Sequence, residues 1–229
     1  MLPLDESNAI SSSHTGEGEL GKIPISQDII ATILDITIVA WSSILALNKI
    51  TSQMLETMLA GYLRQQMIYE KNSRLGVKNQ IRIESEVGTL SSQESIEPEG
   101  RIDIKVIYSF VEDEYFSMEC KRVSSSTRGK DKDLARKYID EGILRFVEGV
   151  YSPNHDFGSM IGFVIDGNVQ GCIDRVCKRL EARKNETYLE EDWVEETNFV
   201  QHPNLYRTRH RQYNHNSSIN VLHLFLEVK

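Results

Sequence analysis

Two stretches decide how this chain folds: GRIDIKVIYSF (100–110) and EYFSMECKRV (114–123). Both alternate large apolar residues with polar ones, the period of a strand with one buried face. Glu112, Asp113 and Glu114 mark a turn between them, so the pair reads as a hairpin. Side chains alternate along a strand, so Glu119 and Lys121 share a face and Cys120 points to the other. With the turn near residue 112, Asp103 is expected to face about position 121. Two acids and a lysine then converge on one patch of sheet.

That patch is costly unless it has a purpose. Ile102, Ile104, Val106, Met118, Cys120 and Val123 mark the two strands as buried. Charged groups buried among them must pair or bind metal. A hard divalent cation takes carboxylate oxygens and keeps places for phosphate and water. The plain alternative is a Glu119–Lys121 pair on a half-exposed strand, with Asp103 as a solvated edge residue.

Working outward, residues 29–47 (IIATILDITIVAWSSILAL) are nearly long enough to span a bilayer, but Asp35 interrupts them. We read 28–50 as a helix for core packing, oligomerisation or a partner protein, with no membrane. Ser26 or Gln27 opens it. A second helix is expected over 52–71, with Met54, Leu55, Met58, Leu59, Tyr62, Leu63 and Met67 at helical spacing. Residues 80–87 alternate as a strand, and 88–99 form a polar loop. A helix over 131–150 follows the basic loop 124–130. GSMIGFVIDGN (158–168) is a buried strand, 169–183 a helix that buries Cys172 and Cys177, and 221–228 a closing strand. Residues 184–217 look irregular, and 1–22 look like a disordered tail. The order implies an α/β fold with a mixed central sheet flanked by helices.

Composition narrows the class. The chain has 229 residues and a formal net charge of −8, so nothing at whole-chain level advertises a nucleic-acid binder. Three cysteines make no disulfide framework or four-ligand zinc pattern, and they suit a reducing, cytoplasmic setting. The first residues carry Asp5, Glu6, Glu17 and Glu19 and lack the basic start of a signal peptide. GEGELGK (16–22) lacks the strand and spacing of a phosphate loop. Two runs are locally basic. One contains Arg122, Arg128, Lys130 and Lys132. The other, LYRTRHRQY (205–213), sets Arg207, Arg209 and Arg211 among Tyr206 and Tyr213. Each suits phosphate contact or base stacking, and each is equally readable as a solvated polar surface.

GRIDI (100–104) followed by ECK (119–121) resembles the PD-(D/E)xK motif of restriction-endonuclease-like nucleases, and the element order over 52–168 is similar to their core. The proline before the motif's aspartate is absent; Arg101 and Ile102 precede Asp103. The resemblance implies a restriction-endonuclease-like domain over 51–229. It implies a nuclease that uses Mg²⁺ or Mn²⁺, most often on DNA, with many relatives in anti-phage defence. Asp103, Glu119 and the backbone carbonyl of Cys120 then hold the metal, and Lys121 serves the attacking water. A glutamate on the first core helix often joins them; Glu56 is the candidate here and Glu70 the weaker one. A silent module of this fold that binds nucleic acid or a protein, and an RNA-directed nuclease, are the alternatives.

Overall fold

The computed structural model describes residues 23–77, 79–89, 100–126, 133–213 and 217–229. The tail 1–22, most of the polar loop expected at 88–99, and Arg128, Lys130 and Lys132 lie outside the described residues. Helix α1 (Gln27–Ala46) starts at Ser26, whose hydroxyl accepts from the Ile29 N–H at 3.3 Å. It is rich in β-branched residues, which are modest helix formers, so tertiary burial rather than propensity holds it. Ile30, Ile33, Leu34, Thr37, Ala40, Trp41 and Ile44 recur at helical spacing and are all buried. Trp41 stacks on Phe163 at 5.1 Å, and its indole N–H donates to the Glu227 carbonyl at 2.9 Å. Asp35 sits on the outer side, where Arg74 bonds its carboxylate at 2.5 Å. By length and composition α1 is apolar enough to cross a membrane. Its apolar stripe is instead packed into the chain's own core, together with Leu59, Leu63 and Met67 of α2 (Glu56–Ser73).

The fold is α/β. A seven-stranded mixed sheet has the order β1-β2-β3-β4-β7-β6-β5. Its strands are β1 (Arg82–Thr89), β2 (Gly100–Ile107), β3 (Tyr115–Val123), β4 (Phe157–Val164), β5 (Leu189–Glu195), β6 (Leu205–Gln212) and β7 (Ser217–Glu227). β3, β4 and β7 run parallel, and every other pairing is antiparallel. The parallel centre is buried on both faces, as helices on each side require. Helices α1 and α2 cover one face. The other is covered by α3 (Leu134–Tyr138), α4 (Leu144–Val147) and α5 (Val169–Ala182), the last capped by Asn168. β4 runs close beneath a ring: a Cβ at Gly158 would lie 2.3 Å from the Phe146 side chain.

Two expectations are corrected. The helix read at 131–150 is broken: a π-helical turn, Ile139–Ile143, separates α3 from α4. A Cβ on Gly142 in that turn would meet the Met160 methyl at 2.3 Å and the Lys121 Cγ at 3.8 Å. The π turn therefore seats bare backbone against β3 and β4. The stretch read as irregular, 184–217, contains β5 and β6. Its alternation escaped a hydrophobic reading because the buried positions of β6 include Thr208, His210 and Gln212.

Those polar side chains are satisfied as a chain. The Nδ1 of His210 lies 2.8 Å from the Thr187 carbonyl, which can only accept, so that nitrogen carries the proton. Its Nε2 then accepts from the Thr208 hydroxyl at 2.8 Å. Thr208 accepts from the His223 Nε2 at 2.8 Å, and His223 Nδ1 accepts from the Tyr138 hydroxyl at 3.0 Å. Every link has one direction, so both imidazoles are neutral. Burial lowers His210 to about 4 and His223 well below its ordinary value. Unfolded histidine takes up a proton near pH 6.5. The network's contribution is therefore complete above pH 6.5 and is lost as pH falls towards about 4. His210→Gln is expected to lower stability at pH 7. It should also flatten the dependence of unfolding free energy on pH between those limits by about 1 kcal/mol per pH unit. Denaturant melts across that range check both effects.

Candidate functional site

The site forms where β2 and β3 part. Their ladder runs from Ile107↔Tyr115 to Ile104↔Met118. Continued by one step, this register sets Asp103 level with Glu119, rather than with Lys121 as expected. Asp103 Oδ2 instead accepts the Cys120 N–H at 2.8 Å, so a side chain replaces the next rung. The Cys120 side chain enters the α1–α2 core, as alternation requires.

Glu119 and Lys121 are 3% and 7% exposed. The Lys121 ammonium donates to Glu119 Oε1 at 2.5 Å, to the Cys120 carbonyl at 3.1 Å and to Glu56 Oε1 at 3.2 Å. Glu56 opens α2, where a carboxylate is favoured by the helix dipole. Its second oxygen accepts the Arg122 N–H at 2.8 Å, and the Arg122 guanidinium donates to the Ser52 carbonyl at 3.1 Å. One glutamate thus ties the helix start to the end of β3.

The electrostatics are lopsided, with three carboxylates around one lysine. Burial pushes the Glu119 carboxyl up to about 8; Lys121 opposes this and Asp103 adds to it. Burial alone would lower the Lys121 ammonium, but Glu119 and Glu56 outweigh it and hold it above its ordinary value. Among the described residues Glu119 Oε2 is buried without a hydrogen-bond partner, an expensive position for a carboxyl oxygen. Asp103 also lines a hollow of about 70 Å³ with Thr57, Ala60, Gly61 and Arg64 of α2 and Ser85 of β1.

The donor set suits a hard cation: carboxylates, one with an unpartnered buried oxygen, beside a main-chain carbonyl. As they stand, no three His, Cys, Asp or Glu side chains among the described residues are grouped to hold one. The Lys121 ammonium lies between Glu56 and Glu119.

Asp103, Glu119, Lys121, the Cys120 carbonyl and Glu56 are thus brought together, and Glu70 is not. It accepts instead from Ser43 and Gln66, each at 3.0 Å. The arginines of β6 are three strands from β3 and are engaged locally. Arg207 pairs with Glu191 and Glu196, and Arg209 with Glu190 and Glu191. Arg211 lies over the Tyr188 ring at 5.4 Å. Sequence reasoning missed Arg64 on the hollow's wall, which no motif marks. It also missed Asp166, whose Oδ2 holds the Ser124 and Ser125 hydroxyls at 2.9 and 2.7 Å just beyond β3. Comparisons of the chain with protein-family models, curated proteins and solved structures gave no match.

Removing one partner of a buried pair strands the other. Lys121→Met is expected to destabilise the protein by on the order of 3 kcal/mol. Adding Glu119→Gln should restore most of that loss, because a neutral amide needs no cation. A double-mutant cycle by chemical denaturation measures the coupling.

Proposed function

We propose that this chain is a divalent-metal-dependent nuclease of the PD-(D/E)xK type, with a restriction-endonuclease-like fold and DNA as its substrate. One observation carries the reading: the motif residues Asp103, Glu119 and Lys121 meet at the parting of two central strands, with Glu56 reaching in from α2. The helix–three strands–helix–strand order around them supports it.

In this reading Asp103, Glu119 and the Cys120 carbonyl hold Mg²⁺ or Mn²⁺. Bound there, the cation supplies Lewis-acid chemistry, neutralising charge on the phosphate and making water a better nucleophile at neutral pH. Lys121, anchored by Glu56, orients the attacking water and stabilises the charge that develops on the phosphate. Burial excludes bulk water and strengthens both effects. Glu56 acts through Lys121 and the Arg122 amide as a positioning residue. A place in anti-phage defence rests on the family resemblance alone. The second reading is a silent module of the same fold, favoured by the ammonium that now sits among the carboxylates.

Plasmid, single-stranded DNA and RNA incubated with Mg²⁺, Mn²⁺ or EDTA separate these readings and name the polymer. We expect metal-dependent cutting of DNA. It should be abolished by Asp103→Ala or Glu119→Ala and reduced about 10²- to 10⁴-fold by Lys121→Met. Cutting that survives all three substitutions sinks the site. Binding without cutting favours the silent module. A readout independent of activity is thermal stability. Metal at about 100 times its Kd should stabilise the wild type by about 3 kcal/mol, and should leave the Asp103→Ala, Glu119→Ala double variant unmoved.

A further inference from the structure

The hollow beside Asp103 has walls of opposite character. Asp103 of β2 lines one side; Arg64 and Thr57 of α2 line the other, and Ser85 of β1 adds to the lining. Arg64 is only partly exposed. Among the described residues no hydrogen bond or ion pair engages it. Other arginines of this acidic chain are bound to carboxylates: Arg74 to Asp35, Arg179 to Asp133, and Arg183 to Asp140 and Glu186. A partly exposed guanidinium with no partner among the described residues, sharing a hollow with Asp103, is available to an anion. The space is kept open by Gly61, where an added Cβ would meet nothing within 4 Å.

We propose that this hollow is a phosphate subsite. Arg64 binds a backbone phosphate of the nucleic acid, Thr57 and Ser85 donate their hydroxyls to it, and Asp103 closes the side that faces the proposed cation. The guanidinium supplies the paired donors that suit phosphate oxygens. Arg64 takes the phosphate with or without the cation, and the acidic wall leaves the cation a place beside it. The subsite reads phosphate and not base, so it positions the strand without choosing a sequence. This deepens the nuclease reading and rests on it for the identity of the anion.

The test measures binding apart from cutting. Fluorescence anisotropy of a labelled DNA duplex is followed in EDTA from about 50 to 200 mM salt, and cleavage in Mg²⁺ is measured in parallel. Arg64→Gln is expected to weaken binding about tenfold on every sequence tried. It should lower the slope of log K against log salt by about 0.9, the loss of one phosphate contact. Arg64→Lys should recover most of the slope. Gly61→Leu fills the hollow and is expected to weaken binding too, while melting no lower than wild type because glycine is the poorer helix former. Unchanged affinity and slope in Arg64→Gln, with normal cutting by the wild type, overturns the subsite and leaves the nuclease standing. An Arg64-dependent slope in a wild type that cuts nothing supports the subsite and removes the nuclease. A wild type that neither binds nor cuts overturns both.

Discussion

Lys121 is a buried cation held between the buried Glu119 and the half-buried Glu56, and the site is arranged around it. The ammonium meets Glu119, Glu56 and the Cys120 carbonyl, and among the described residues nothing matches the second buried oxygen of Glu119. One ammonium is set against three carboxyl groups, and burial holds the Glu119 proton up to about pH 8, so a second cation would take that proton's place. A chain shaped only for stability gains little from such a cluster, because apolar residues of the same volume cost less to bury. The imbalance is the physical reason for expecting a second cation.

The architecture brings the cluster together. The β2–β3 ladder ends at Ile104↔Met118, and the Asp103 carboxylate takes the Cys120 amide beyond it. β3 and β4 run parallel from there, so a helix must fill the connection. That connection is interrupted by a π turn, whose Gly142 lies against Lys121 and Met160. α2 adds Glu56 from the opposite face of the sheet, through the opening that the parted strands leave. Behind these elements, α1 shares a core with α2 and reaches β4 and β7 through Trp41, which stacks on Phe163 and donates to the Glu227 carbonyl. Of the uses that the sequence allows for this apolar run, core packing is the one the chain makes of it.

The sequence declared what depends on local period and left out what depends on distant partners. Alternation in 100–110 and 114–123 made the hairpin and its acids legible, and the spacing of Leu59, Leu63 and Met67 made α2 legible. The start of α2 at Glu56, four residues later than its periodicity suggests, decides that Glu56 and not Glu70 reaches the site. Strands β5 and β6 were hidden because their alternation is written in Arg, Glu, Thr and His. The buried imidazoles of His210 and His223 are paid for by Thr208, Tyr138 and the Thr187 carbonyl, which no local window contains. Arg207 and Arg209 likewise pair with Glu190, Glu191 and Glu196 of β5 and its flank, partners that the run 205–213 does not contain. Arg64 gave no signal, since a lone arginine at helical spacing looks like any solvated face.

The most direct test of the central claim is to locate manganese by anomalous diffraction in crystals of the full chain grown with Mn²⁺. The claim requires a peak within about 2.2 Å of carboxylate oxygens of both Asp103 and Glu119, with the Lys121 ammonium moved off Glu119 Oε1. A site that holds no manganese at saturating concentration, with Lys121 still bonded to Glu119 and Glu56, would contradict it and leave the cluster as a buried ion pair.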